Sequence, residues 1–444
     1  MSENATGSTG AGTKSPLSLR ENYRILFGAS RAFWLVNLVN FGDGIAYFGI
    51  LNLLTLFISR SAGFSDQATG LAVSIFTGLV TLTMFGGGFV SDRLGVRHAL
   101  TLSLAMGLVG RVMLVLSPQV GGGVGHPMLW GAIVIMGIGE GIIQPALYAG
   151  VKEYTDPRTS TIGYSLLYSI MNLGIVAETF VSPYIRERHD IAGVFWAMIA
   201  FTALMLLANI ALFTSRVEKR DRVVEIVAAP ERDTRPLAER LRALPFLDAR
   251  FIFFIFILLP VRTLFAHQFL TLPDYVMRCF PANVGARYEW FQGLNPLVIV
   301  IFVPLIAALT RRVNIITMMI LGTLVSAVTT FMLVPGPNLG TLILYVVLFS
   351  FGEAMWSSRF LEYVADLAPA GQVGAYMGLA GIPWFLAKMT TGFYSGHMIA
   401  TFMPREGPQR SGELWLIYAC FAMLSPIGLL IGRRWVQRGV STPH

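Results

Sequence analysis

The stretch GFVSDRLGVRH, residues 88–98, is a short basic segment between two apolar blocks of about 20 residues each. Blocks of that length can cross about 30 Å of hydrocarbon as helices. The whole chain repeats this arrangement, because 54% of its 444 residues are apolar and only 13% are charged. Soluble domains carry about 25% charged residues. The stretch therefore indicates a membrane protein whose helices are joined by short loops.

The apolar blocks predict an all-α membrane protein with twelve transmembrane helices in two six-helix halves. The halves are residues 33–215 and 249–433, separated by a charged cytoplasmic linker, 216–248. The predicted spans are 33–59, 67–90, 98–118, 128–152, 161–184, 191–215, 249–272, 290–309, 315–335, 340–367, 373–402 and 413–433. Residues 1–32 and 434–444 are predicted cytoplasmic tails, and residues 236–244 of the linker are a candidate surface helix.

Lysines and arginines in short loops predict the orientation, because they remain on the cytoplasmic side. With both termini cytoplasmic in the plasma (inner) membrane, the following all lie on that side: Arg20, Arg24, Arg31, Arg93, Arg97, Lys152, Arg158, Arg311, Arg312, Arg433, Arg434 and Arg438. Four arginines are exceptions on the outer side, namely Arg186, Arg188, Arg278 and Arg287. We therefore attribute the net charge of +8 to membrane orientation and not to nucleic-acid binding.

The segment 88–98 resembles G-x-x-x-D-R-x-G-R-R, the characteristic loop of the major facilitator superfamily. Its matching residues are Gly88, Asp92, Arg93, Gly95 and Arg97. The glycines permit close helix approach and a tight turn. The aspartate can cap or pair at a helix end, and the arginines remain with the headgroups. An ordinary basic loop is the alternative, but the spacing and the position after span two both match. The resemblance implies the major facilitator fold, with this loop as a gating element.

Further motifs resemble the proton-coupled oligopeptide transporter family, also called peptide/nitrate transporters. Span eight contains FQGLNP at 291–296, similar to the family's Q-x-L-N-P. Span ten contains GEAMWS at 352–357 and LAP at 367–369, similar to G-E-L-x-x-S and L-A-P. Span five contains GYSLLYSIMNLG at 163–174, similar to G-F-S-x-x-Y-x-x-I-N-x-G. The resemblance covers both halves and implies a transporter of small, peptide-like solutes.

Several positions depart from that family. Its E-x-x-E-R motif of span one reads NFGDG at 40–44, and its next arginine falls at Leu51. Its span-four motif G-x-G-x-x-K-P reads GEGIIQP, so that Gln144 replaces the lysine. In the family, these cations receive the C-terminal carboxylate of a peptide. Their loss argues against ordinary di- and tripeptide uptake.

Ionisable residues at membrane depth cost at least about 2.5 kcal/mol each and often mark functional sites. Glu353, Asp43 and Glu140 are the candidate proton-coupling residues. A carboxyl group that alternates between an apolar environment and a nearby cation can take up and release a proton. A fixed structural ion pair is the alternative. Arg262 and Lys388 are candidates to replace the missing cations, as partners of Glu353 or of an acidic substrate, and Arg111 and Glu178 also lie at depth.

The remaining candidates for substrate binding are polar or aromatic residues in the spans. They are Asn40, Tyr47, Gln144, Tyr168, Asn172, His267, Gln268, Asn295, Ser357 and Trp384. Helix packing and hydrogen bonding between helices are the alternative roles. For His267 a proton switch is a further alternative, since the usual pKa of histidine is near neutrality.

The sequence thus predicts a secondary active transporter, which binds and translocates a solute without changing it chemically. Its expected partners are a small solute, protons and the lipid bilayer, and we expect a monomer without cofactor or metal. Cys279 and Cys420 give neither a disulfide framework nor metal-ligand spacing. No enzyme motif such as H-E-x-x-H, G-x-S-x-G or a P-loop is present. The alternatives are efflux of drugs or metabolites, or a non-transporting receptor or sensor on the same fold.

Overall fold

The computed structural model describes residues 28–155, 160–223, 249–310, 313–367 and 382–437. Every regular element in these ranges is helical. Eight of the described helical runs are long and apolar enough to cross a membrane. The all-helical membrane fold is thereby confirmed, while the count of twelve spans stays a prediction. The two tails, most of the linker and the candidate surface helix at 236–244 lie outside the described residues.

The first half of the chain forms six long helices. Their bounds are α1 Arg31–Leu56, extended by a π-helical turn at Phe57–Ser61, α2 Asp66–Leu94, α3 Val96–Leu116 and α4 Gly122–Tyr154. The next run, Ser160–Leu212, breaks at His189 and Asp190, where Asp190 has φ 56°. It therefore comprises two helices, α5 (160–188) and α6 (191–212), close to the bounds predicted for spans five and six.

The second half follows a short linker helix, α7, at Ser215–Asp221. Predicted span seven, 249–272, is not one helix but is divided into α8 Ala249–Ile257 and α9 Leu259–Leu270. A further helix, α10 Leu272–Cys279, follows it. Pro260 and Pro273 stand in the first turns of α9 and α10, where a missing N–H is tolerated. The remaining helices are α11 Ala282–Gly285, α12 Tyr288–Leu309, α13 Ile315–Thr330, α14 Leu339–Leu367, α15 Ile382–Phe402 and α16 Ser411–Val436.

We call the end of the bundle that carries α7 the linker end, and the opposite end the far end. At the linker end, the Asp221 carboxylate accepts a hydrogen bond from the backbone N–H of Ala32 at 2.9 Å. Burial alone would raise the pKa of Asp221, but hydrogen bonds from Arg220 and from Ala32 hold it below its usual range. Glu218 lies 3.5 Å from Arg97, which follows α2. The start of the linker therefore contacts both the beginning of α1 and the segment 88–98, and holds them together at the linker end.

Two glycines bring the halves into backbone contact, where α15 lies against α2. A Cβ atom added to Gly396 would lie 2.2 Å from the backbone oxygen of Asp66. One added to Gly392 would lie 2.8 Å from the backbone oxygen of Gly70. Small residues spaced by four allow helices to approach this closely. Because Asp66 begins α2, the contact reaches the far end of the bundle.

Ion pairs between the halves also hold the far end together. Arg186 of α5 donates to both oxygens of Glu289 on α12, at 2.5 and 2.7 Å. Arg278 of α10 lies 2.8 Å from Asp66 of α2. The Glu289 side chain is fully buried. Since each pair joins opposite halves, the far end is closed in this conformation.

Substituting Gly396 by valine is expected to prevent this closure, because its side chain would collide with a backbone oxygen of Asp66 that cannot move aside. The two helices would separate to the ordinary spacing of about 8–10 Å. Spin labels introduced at the exposed far-end residues Ser61 and Glu406 test this. Electron–electron distance measurements should show the label separation shift to longer values in Gly396→Val.

The matched control is Gly131→Val in α4, where an added Cβ would meet only the flexible side chain of Met113, at 3.3 Å. It should leave the label separation unchanged. Cys279 and Cys420 are free cysteines and must first be replaced by serine in every variant. An unchanged distance distribution in Gly396→Val would contradict a requirement for the α2–α15 contact.

Candidate functional site

Asp43, Glu140 and Arg111 form a buried cluster within the first half, with side chains 4%, 6% and 3% exposed. Arg111 forms an ion pair with Glu140 through Nη2, and its Nη1 donates to Thr202 Oγ1 at 2.5 Å. The side chain of Asp43 lies beside those of Glu140 and Gln144. With both carboxyl groups ionised, the two acids and Arg111 would together carry one net negative charge. A single bound proton would remove that charge.

Small residues make room for the cluster among α2, α3 and α4. A Cβ atom on Gly107 of α3 would lie 3.3 Å from Arg111 Nη1. Gly139 and Gly141 flank Glu140, and added Cβ atoms there would lie 3.1 Å from a side chain of α3 and 2.7 Å from a backbone oxygen of α2. The glycines on both sides of Glu140 therefore let α4 approach α2 and α3 closely, which brings the carboxylate to Arg111.

Glu353 is the centre of a second cluster, in the other half. It is half-buried on α14, and its Oε2 accepts a hydrogen bond from Asn295 Nδ2 of α12 at 2.8 Å. Asn295 Nδ2 also lies 3.0 Å from Ser350 Oγ. Ser357, one turn further along α14, is half-buried as well. The segments 291–296 and 352–357 therefore meet in space, as neighbouring helices of one half.

Two exposed tyrosines of the first half lie near this second cluster. Tyr168 of α5 is 45% exposed, yet it lies close enough to Glu353 to interact with it electrostatically. Tyr148 of α4 is 46% exposed and lies near Tyr168. Tyr168 is therefore an exposed side chain of the first half that lies near an acid of the second half.

Arg262 of α9 is 1% exposed and is surrounded by aromatic rings. Its guanidinium carbon lies 4.3 Å from the ring centre of Phe360, 4.6 Å from that of Trp384 and 5.0 Å from that of Trp356. It interacts electrostatically with Glu353. Among the residues that the structure describes, however, no carboxylate forms an ion pair with it. The predicted proximity to Glu353 is present, without a salt bridge.

Lys388 and Gln268 are two further predicted site residues of the second half. Lys388 is half-buried on α15, and its backbone carbonyl accepts a hydrogen bond from Ser74 Oγ of α2 at 3.1 Å. Lys388 therefore lies at the boundary between the halves. Gln268 is buried, and its Nε2 donates to the hydroxyl of Tyr345 at 3.0 Å. That bond fits the packing role considered for Gln268.

His267 contacts hydroxyl groups and an aromatic ring, and none of these contacts is with a charged residue of the two clusters. Its Nδ1 is 2.8 Å from Thr271 Oγ1, and its Nε2 is 3.1 Å from the hydroxyl of Tyr394. The ring stacks on Tyr418 with ring centres 3.7 Å apart. Both ring nitrogens are therefore engaged by hydroxyl groups, an arrangement that fits a hydrogen-bonding residue of the helix interface better than a proton switch.

Three predicted binding residues of the first half make contacts within that half. Asn40 Nδ2 donates to the backbone oxygen of Leu167 at 2.6 Å, which joins α1 to α5. Asn172 Nδ2 donates to the backbone oxygen of Tyr168 on its own helix at 2.8 Å. Tyr47 packs against Phe76 with ring centres 5.9 Å apart, close to the Asp43–Glu140 pair. The bonds of both asparagines fit the packing alternative.

The predicted gating loop is described in part. Gly95 has φ 77°, a backbone conformation that favours glycine, and it connects α2 to α3. Arg93 is exposed at the last turn of α2, and Arg97 contacts Glu218 of the linker helix. The side chains at positions 88 and 92 lie outside the described part of the structure.

The sequence placed Arg111 at membrane depth but did not assign it to the site, and it gave no role to Thr202. It also treated Arg186 and Arg278 as exceptions to the orientation rule. The structure pairs both arginines with carboxylates of the opposite half. Their unusual side of the membrane was the available signal, but only the packing of the helices identifies their partners.

Comparison with solved structures gives the same architecture. A mutant of peptide transporter POT bound to alafosfalin superposes with a TM-score of 0.76 at 17% identity, covering 95% of this chain and 99% of that one. A POT family transporter bound to 5-aminolevulinic acid gives a TM-score of 0.72 at 15% identity, covering 93% and 98%. Likeness at this level of identity establishes the fold.

Sequence comparison finds related permeases. Dipeptide and tripeptide permease A of Proteus mirabilis is 22% identical, over 91% of this chain and 93% of its own length. Dipeptide and tripeptide permease B of Xenorhabdus bovienii is 25% identical, but the match covers 37% of this chain and 33% of that protein. A family model, the Major Facilitator Superfamily, matches residues 36–392. Because that match extends from α1 into α15, the chain belongs to the Major Facilitator Superfamily and is a membrane transporter rather than an enzyme.

Proposed function

We propose that this transporter moves a small organic solute across the plasma (inner) membrane by alternating access, coupled to protons. The observation that carries the proposal is the position of its acids. Glu353 lies inside the bundle in one half, and the neighbouring acids Asp43 and Glu140 lie inside it in the other. Acids at membrane depth that face a bundle interior or cavity mark proton and solute pathways. The closed far end supports a conformation in which the solute enters or leaves on the opposite side.

The ion pairs of the far end support alternating access in particular. Arg186–Glu289 and Arg278–Asp66 join opposite halves, so opening the far end must break both. Breaking a buried pair costs about 3–5 kcal/mol when the charges are left uncompensated. Opening therefore requires that water reach these groups, and that contacts form elsewhere between the halves.

The two acidic clusters support proton coupling. When both carboxyl groups of the Asp43–Glu140 pair are ionised, Arg111 neutralises only one of them, so a single proton removes the remaining charge. Glu353 has a neutral hydrogen-bond donor, Asn295, and no cation within ion-pair distance among the described residues. Buried acids with too few counter-charges are stabilised by taking up a proton.

The relatives suggest the chemistry of the solute. They are named for dipeptides and tripeptides, and the solved structures hold alafosfalin or 5-aminolevulinic acid. In this chain, Leu51 and Gln144 stand where the resembled family has cations. We therefore propose a peptide-like or amphiphilic solute, and we do not extend the proposal to the usual di- and tripeptides.

Glu353→Gln is expected to abolish proton-driven accumulation while solute exchange persists, because exchange needs no net proton movement. The solute is first identified by thermal-shift screening of peptides, amino-acid derivatives, nucleosides, lipids and drugs, since ligands that bind the folded state raise its apparent stability. In proteoliposomes, a gradient of one pH unit supports about tenfold accumulation of a neutral solute carried with one proton. The variant should accumulate the labelled solute to a ratio near one and retain counterflow.

The control variant is Glu413→Gln, which alters a far-end carboxylate that is 56% exposed and should accumulate solute as the wild type does. Full proton-driven accumulation by Glu353→Gln would contradict the role of this acid. Absence of counterflow in the wild type for every stabilising solute would favour the receptor or sensor. A higher solute content in cells that lack the protein would instead indicate efflux.

Arg111→Met should destabilise the protein by about 3–5 kcal/mol at neutral pH, because it leaves the carboxyl pair without its cation. The double variant Arg111→Met, Glu140→Gln should recover part of the loss, since only one acid, Asp43, is then left without a cation. Melting temperatures in detergent measure both effects. Arg434→Met, at an exposed residue of α16, is the control and should change stability by less than about 0.5 kcal/mol. Equal melting temperatures for the single and the double variant would contradict the pairing.

A further inference from the structure

The buried guanidinium of Arg262 has fewer polar contacts than those of the ion-paired arginines described above. Its Nε and Nη1 atoms are buried and have no hydrogen-bond partner among the described residues. By contrast, Arg111, Arg186 and Arg278 each form an ion pair with a carboxylate. A guanidinium carries five N–H donors in a rigid fork that matches a carboxylate. Arg262 therefore has unused hydrogen-bonding capacity in a place where such capacity is costly.

The rings around Arg262 do not replace those hydrogen bonds. Phe360, Trp384 and Trp356 offer their faces to the cation at 4.3 to 5.0 Å. Cation–π contact attracts the charge as a whole, but it satisfies no in-plane N–H group. We call Arg262 with these three rings the aromatic box. The box stabilises a guanidinium while it leaves the edge of the fork free for an acceptor.

Glu353 is the carboxylate that acts electrostatically on Arg262, but its hydrogen bond goes elsewhere. Its Oε2 accepts from Asn295, and it influences Arg262 only at a distance. Lys388, one helical turn beyond Trp384, pairs with no carboxylate among the described residues either. Glu353 is the charged residue shown to act on Arg262. When Glu353 carries a proton, the charge of Arg262 loses that compensation.

We propose that the aromatic box binds an anionic group of the transported solute, with the carboxylate or an equivalent acid accepting from Arg262. The inference rests on the proposed function and adds the substrate class, an acid with an apolar or aromatic body. Trp384 is half-buried and lies over the guanidinium, so its rotation is the local movement that uncovers Arg262. The apolar body of the solute then packs against the rings of the box.

The test is a binding titration of the purified full-length protein, followed by tryptophan fluorescence, because Trp356 and Trp384 belong to the box. The probes are N-acetyl-phenylalanine and its amide, which differ only in the anionic group, with benzoate and hexanoate as further carboxylates. The wild type should bind N-acetyl-phenylalanine at least tenfold more tightly than the amide. Arg262→Met should reduce this preference to near one, and Arg262→Lys should retain part of it.

Thermal stability separates a binding role from a structural one. If Arg262 is free for a solute, Arg262→Met removes a cation without a partner and should melt at the same or a higher temperature than the wild type. If Arg262 were a fixed partner of Glu353, Arg262→Met would melt lower, and adding Glu353→Gln would restore stability. The control is Arg359→Met. Arg359, on α14, is buried like Arg262, but it donates a hydrogen bond to the backbone oxygen of Thr310 at 2.8 Å. It should leave the preference for the carboxylate unchanged.

A wild type that binds none of the three carboxylates, or a preference that survives in Arg262→Met, overturns the inference. Failure of the anion site and failure of the proposed transport function give different results. Counterflow of a labelled solute without any carboxylate preference would sustain transport and reject the anion site. Carboxylate binding that depends on Arg262, in a protein that exchanges no solute, would sustain the site and reject transport.

Discussion

Every ionised side chain inside a membrane protein needs a counter-charge or a hydrogen-bond partner, since an isolated charge in an apolar interior is costly. At the far end, this requirement is met across the boundary between the halves. Arg186 pairs with Glu289, and Arg278 with Asp66. Separation of the halves would leave two buried carboxylates without cations until water reached them. The closed conformation is thus stabilised by groups that must be hydrated before it can open.

These ion pairs depend on close helix packing. The guanidinium of Arg278 reaches Asp66 while α15 lies on α2 with Gly396 against the backbone of Asp66 itself. One residue at the start of α2 therefore takes part in both the ionic and the backbone contact between the halves. Closure of the far end is consequently a cooperative event, in which packing sets the distances and charge sets the specificity.

The two halves treat their buried charges differently. In the first half, the acids of α1 and α4 are compensated by Arg111 of α3, a residue outside the motifs in which the cations of the resembled family stand. In the second half, Arg262 is held among rings, and Glu353 is bound by an amide. The departures at residues 40–44 and at Gln144 therefore do not leave the site without charge. They accompany a charge distribution in which, among the described residues, the buried Arg262 of the second half has no ion-pair partner.

The sequence by itself determined the membrane class, the helix periodicity and the superfamily, because apolar length and a loop such as 88–98 are local properties. It also located Glu353, Asp43 and Glu140 at membrane depth, which hydropathy alone reveals. Only the tertiary structure decided which charges meet, since partners such as Arg186 and Glu289 are 103 residues apart in the chain. The hydrogen bonds of the His267 ring likewise depend on other helices. So does the lack, among the described residues, of an ion-pair partner for Arg262. Pairing energy depends on distances between helices, and those are set by packing that no single segment encodes.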